Sequence, residues 1–146
     1  MKFSKDHSTI YMRLDAGDKI LSSLYSLVKN ERINSAWISG IGACTNIEVG
    51  FYDIHKKDYI KKKFTDDYEI TSLIGNFTYK DKVNPWWHVH LNFSDKLFNT
   101  YGGHLFEAEI SAACEIFLNI TNQKINRIYN ENIGLCLMEF DDKKRS

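Results

Sequence analysis

From Ile47 onward, apolar and polar residues alternate with a period of two through most of the chain. That pattern marks strands with one packed face and one wet face, and it leaves little room for helices. It predicts strands over Ile47–Tyr52, Tyr59–Phe64, Glu69–Tyr79, Trp86–Phe93, Asn99–Ile110, Ala113–Ile120 and Leu135–Phe140, with turns at Asp53–Asp58 and Thr65–Tyr68. The last two strands alternate weakly, so they are expected to be buried on both faces or to lie across a subunit contact. Upstream, Thr9–Leu14 reads as a first strand and Ala36–Ser39 as another. Between them Ile20, Leu21, Leu24, Leu27 and Val28 recur at helical spacing. A long amphipathic helix is therefore predicted after the first strand, from Lys19 to about Asn30, with Asp18 as its N-cap. The fold class expected is α+β: an antiparallel sheet with this helix covering one face. The 146 residues suit one domain, 1–146, with a core over about 8–140 and short flexible tails.

Composition narrows the class of function. Nineteen basic residues balance nineteen acidic ones, whereas a domain that grips nucleic acid through phosphates carries an excess of Lys and Arg. Lys56-Lys57 with Lys61-Lys62-Lys63, and the tail Lys143-Lys144-Arg145, read as a solvated strand edge and a fraying end. Cys44, Cys114 and Cys136 are odd in number and widely spaced, which fits reduced, packed thiols of a cytoplasmic protein. No stretch approaches the roughly 18 apolar residues of a membrane span, so no membrane association is expected.

Three of the five histidines crowd into Trp86-Trp87-His88-Val89-His90-Leu91 and Tyr101-Gly102-Gly103-His104-Leu105. In a strand His88 and His90 point to the same face, and the short connection returns His104 beside them. Three neutral imidazoles with a fourth position open make the ligand set of a zinc site, or of a similar divalent metal. Water on such an ion ionises near neutral pH and needs a general base within reach. Glu107 is the best sequence candidate, although strict alternation puts it on the face opposite His104; Glu109 and Glu115 are alternatives. One of Trp86 and Trp87 should point with the histidines and wall a small-ligand pocket, and Trp87 is taken for that role. Arg13, at a strand end, is a candidate to hold an anionic ligand or to pair with Asp15 or Asp18. Gly40-Ile41-Gly42 allows close approach of another backbone but lacks the residues of a phosphate loop.

The order of Arg13-Leu14-Asp15-Ala16-Gly17-Asp18, Ser39-Gly40-Ile41-Gly42-Ala43, Gly50-Phe51-Tyr52-Asp53, Leu73-Ile74-Gly75-Asn76, His88-Val89-His90 and Gly102-Gly103-His104-Leu105 with Glu107 resembles one family. It is the plant and prokaryote conserved (PPC) domain, the globular part of the plant AT-hook nuclear-localised proteins, which also occurs as stand-alone prokaryotic proteins. The resemblance spans roughly Ser8 to Phe140. It implies antiparallel strands, assembly as a homotrimer, and zinc on His88, His90 and His104. It also brings a DNA-associated regulatory role as the alternative function. The plant proteins bind DNA through a separate hook rich in Arg, Gly and Pro, and this sequence has neither an Arg-Gly-Arg run nor any proline besides Pro85.

Overall fold

The computed structural model describes residues 1–140. Its elements run β1 (Lys2–Asp6), β2 (Thr9–Asp15), α1 (Ile20–Glu31), β3 (Ser35–Asp53), β4 (Asp58–Phe64), β5 (Tyr68–Lys80), β6 (Asn84–Ser94), β7 (Thr100–Thr121), β8 (Asn126–Asn130) and β9 (Leu135–Glu139). All nine strands belong to one sheet, in the order β1-β2-β7-β3-β5-β8-β9, with β4 on β3 and β6 on both β5 and β7. Every pairing is antiparallel except that of β5 with β8.

Four of these strands pair in a closed ring: β3 with β5, β5 with β6, β6 with β7, and β7 back to β3. Ring closure removes free edges and turns alternate residues inward. Ile38, Cys44, Leu73, Val89, Leu91 and Leu105 are all fully or almost fully buried. The long strands β3 and β7 make this possible because register shifts between Gly42 and Cys44, and between Thr45 and Val49, let each strand bend. Close backbone approach at Gly40 fits the expectation from sequence. A Cβ there would stand 2.8 Å from the Glu115 carbonyl.

Helix α1 packs on β7 and β6 through Ile20, Leu24, Leu27 and Val28. It is a short helix of 12 residues, within one residue of the expected span at each end, and it follows the second strand because β1 precedes β2. Asp18 does not cap it. Lys19 occupies the cap position without a side-chain bond, and the Asp18 carboxylate takes the terminal ammonium at 2.6 Å and the Asp15 N–H at 2.9 Å. The two strands expected over Asn99–Ile110 and Ala113–Ile120 are one continuous strand. Its second half alternates cleanly in burial, so Ala113–Ile120 is not buried on both faces of the protomer. Phe117 is about half exposed (47%), and Leu137 in β9 is exposed too. None of the helices of the described residues is long and apolar enough to cross a membrane.

Candidate metal centre

The register of the sheet builds the site. His90 of β6 stands directly across from His104 of β7, and directly opposed residues share a face. His88 lies two residues earlier on β6, on that same outer face, while Trp87, Val89 and Leu91 point into the core. The three rings lie with centroids 5.1 Å (His88–His90), 5.3 Å (His88–His104) and 5.7 Å (His90–His104) apart. Each offers a ring nitrogen, and those three nitrogens fall within 4.8 Å of one another. Imidazole nitrogens on a tetrahedral zinc stand about 3.4 Å apart, so modest side-chain rotation of exposed His90 and half-buried His88 closes the set.

Two hairpins roof the cluster. Tyr59 of β4 stacks on His104 at 4.9 Å, and Phe106 meets the same ring edge-on at 5.2 Å. The β8–β9 hairpin is tied to the β3–β4 hairpin: the Tyr52 hydroxyl donates to the Ile133 carbonyl (2.7 Å), and Lys57 Nζ donates to the Glu131 carbonyl (2.6 Å). His104 is thereby buried although it lies on the outer face of the ring.

This burial sets the protonation state. Desolvation, then the Arg127 and His90 charges, pushes His88 down to about 4. Desolvation, then His88, His90, Lys61 and Lys80, pushes His104 down to about 4. Burial lowers His90 as well. All three rings are neutral at pH 7, the form that ligates a metal. Moreover, the buried Nδ1 of His104 has no hydrogen-bond partner among the described residues. An orphaned buried nitrogen beside two other neutral imidazoles fits a metal-ligand set.

The other sequence candidates land elsewhere. Glu107 faces away from the histidines: its Oε1 accepts from the Leu21 N–H (2.8 Å), and its Oε2 accepts from the Ser22 N–H (3.1 Å) and hydroxyl (2.8 Å). It caps the helix and is not placed to serve as a base for this site. Glu109 lies at the edge of a separate cleft with Asn46 and Glu48, and Glu115 faces Arg13 across the β2–β7 pairing. Arg13 Nε pairs with Asp15 at 2.9 Å, far along the sheet from the histidines. Trp87 is buried against Phe77. Trp86 is the tryptophan that shares the histidine face and lines the adjoining recess. Sequence reasoning also missed Arg127, a buried cation next to His88.

The lysine cluster is spent locally. Lys61 and Lys63 pair with Glu48 at 3.1 and 3.6 Å, Lys61 Nζ sits 3.8 Å from the centre of the Phe106 ring, and Lys56 pairs with Asp53. Among the described residues β4 pairs only with β3 and forms an edge, as the solvated-edge reading anticipates. The basic tail at 143–145 lies outside the described residues.

Fold and site together define a small antiparallel-sheet protein with a three-histidine centre on the outer face of a strand ring. The chain belongs to the family of the Plants and Prokaryotes Conserved (PCC) domain, whose model matches residues 1–122. A plant- and prokaryote-conserved (PPC) protein from Pyrococcus horikoshii is similar at 32% identity, covering 97% of this chain and 96% of that one, with a TM-score of 0.83. The metal-containing protein from Archaeoglobus fulgidus is 35% identical over 95% of this chain and 96% of its own, with a TM-score of 0.82. A protein from Bacteroides thetaiotaomicron, described as a "putative dna binding protein", is 26% identical over 95% and 96% of the two chains, with a TM-score of 0.91. No curated protein matches this sequence.

Proposed function

We propose that this protein is a homotrimer that binds one zinc-like divalent ion per subunit through His88, His90 and His104, beside a pocket for a small ligand. The observation that carries this reading is the convergence of three neutral ring nitrogens within 4.8 Å. The metal-containing relative from Archaeoglobus fulgidus supports it. Such an ion, when bound, polarises a ligand or lowers the pKa of its water toward 7. Self-association is supported by the outer face itself. Tyr11, Phe117, Ser39, Ile74 and His90 follow one another across paired strands. Tyr11, Phe117 and Ile74 in that row, together with Trp37, are exposed. An exposed apolar row of this kind marks an interaction surface.

Elemental analysis of protein purified without a histidine tag tests the metal. About one metal per chain, lost in the His88→Ala/His90→Ala variant, is the expected result; no metal in the untagged protein after incubation with zinc overturns it. A second reading, a DNA-associated regulatory protein, rests on the description of the Bacteroides relative. Balanced charge weighs against it. A salt-sensitive gel shift that survives chelation would favour it.

A further inference from the structure

Beside His88 and His104 opens a recess of about 280 Å³. Its walls are the rings of Tyr59, Trp86, Phe106 and Tyr129, with Leu135 and Leu137. Among the described residues its only charged lining residues are Lys80 and Arg127. Arg127 is 6% exposed, and among the described residues no carboxylate lies within ion-pair distance of it. A buried charge is ordinarily paired. Three neutral acceptors hold this one instead: Nε donates to the Thr78 hydroxyl (2.8 Å), Nη1 to the Cys136 carbonyl (3.0 Å) and Nη2 to the Asn76 side-chain oxygen (2.8 Å). A guanidinium has five N–H donors, so two remain. Lys80 is positioned over the Trp86 ring, 3.1 Å from its centre, which adds positive charge to the same wall.

Resting on the metal-site reading above, we infer that this recess takes a small monocarboxylate with a flat, unsaturated body. Its carboxylate meets the free donors of Arg127, and its body lies against the aromatic walls beside the histidines. The fixed, desolvated fork of Arg127 matches a carboxylate in shape and charge. A phosphate dianion fits less well, because this mostly apolar lining offers too few donors to replace its hydration. The volume of about 280 Å³ is ample for a single ring. Arg127, Tyr129, Leu135 and Leu137 all come from the β8–β9 hairpin, beyond the residues 1–122 that the family model matches. The metal ligands therefore come from the matched region, and the recess joins aromatic walls from that region, Tyr59, Trp86 and Phe106, to the guanidinium of the hairpin.

The test is calorimetric titration of the full-length, zinc-loaded protein with benzoate, benzamide and inorganic phosphate, with metal content measured on each sample. Benzoate should bind about 10- to 100-fold more tightly than neutral benzamide, the effect of one charge-assisted pair. Arg127→Gln should abolish that preference. If Arg127→Gln does not fold, chelator-treated wild type decides the matter: the preference persists without metal when Arg127 is the anchor. Equal binding of benzoate and benzamide, preference for phosphate, or a preference that vanishes with the metal or survives Arg127→Gln overturns the proposal. A protein that takes up no metal yet still discriminates defeats the metal reading alone.

Discussion

Glu107 holds the start of the helix through Leu21: the carboxylate oxygen accepts the Leu21 N–H at 2.8 Å across 86 residues of sequence. Two of the orphan N–H groups of the first turn are thus satisfied by a side chain from β7, and its negative charge sits at the positive end of the helix dipole. Glu107→Ala should therefore cost about 1–2 kcal/mol of stability in a urea titration and leave metal stoichiometry intact. Loss of metal with unchanged stability would show that the residue serves the histidines after all.

Acid should weaken the metal-free protein before it protonates most carboxylates. His88 and His104 titrate near 4 when folded, against 6.5 in the unfolded chain. Between those values the unfolded state binds more protons, so their contribution is fully present above about pH 6.5 and is lost as the pH falls toward 4. The urea midpoint of chelator-treated protein should drop from pH 7 to pH 5. A flat profile in the His88→Gln/His104→Gln variant would assign the drop to these rings.

Metal should stabilise the fold because it ties β6 to β7. At a free zinc concentration 100 times the dissociation constant, the gain is about 2.7 kcal/mol. The melting temperature should rise on zinc addition and return to its starting value with chelator. His90→Ala, which removes an exposed ligand at little packing cost, should erase the response.

Charge placed in the exposed apolar row should break assembly. Phe117→Glu sits opposite Tyr11, with ring centroids 5.2 Å apart in the native protein. Light scattering should give a trimer mass for wild type and a monomer mass for the variant, with an unchanged circular dichroism spectrum. A wild-type monomer would end the trimer reading.

Arg32 closes the helix in the left-handed region, with φ of 51°. Arg32→Gly should raise stability by about 1 kcal/mol, since glycine adopts that conformation without steric cost.

How much of this was legible in the sequence follows from where side chains meet water. β2, β5 and β6 stand out because one face of each is apolar. By contrast, Ala36–Ser39 and Ile47–Tyr52, expected as two strands, are parts of the single strand β3, and β4 has no buried residue at all. β1 escaped notice because all five of its residues are exposed, so its pairing leaves no hydrophobic trace. β8 escaped because its buried position is an arginine, which inverts the usual signal. The histidine cluster was readable from parity and a short connection. The same parity assigns Trp86, not Trp87, to the histidine face, since positions 86, 88 and 90 alternate together. The helix cap was beyond reach: Glu107 is distant in sequence, and the nearby Asp18 is taken by the terminal ammonium.

The three thiols have unequal fates. Burial pushes Cys44 and Cys114 up to about 12, which leaves both inert toward electrophiles at neutral pH. Cys136 alone is partly exposed, and it lines the recess beside Arg127. A ligand seated in the recess should therefore slow modification of Cys136 by a small alkylating reagent, so the native protein reports its own occupancy without engineering a single residue.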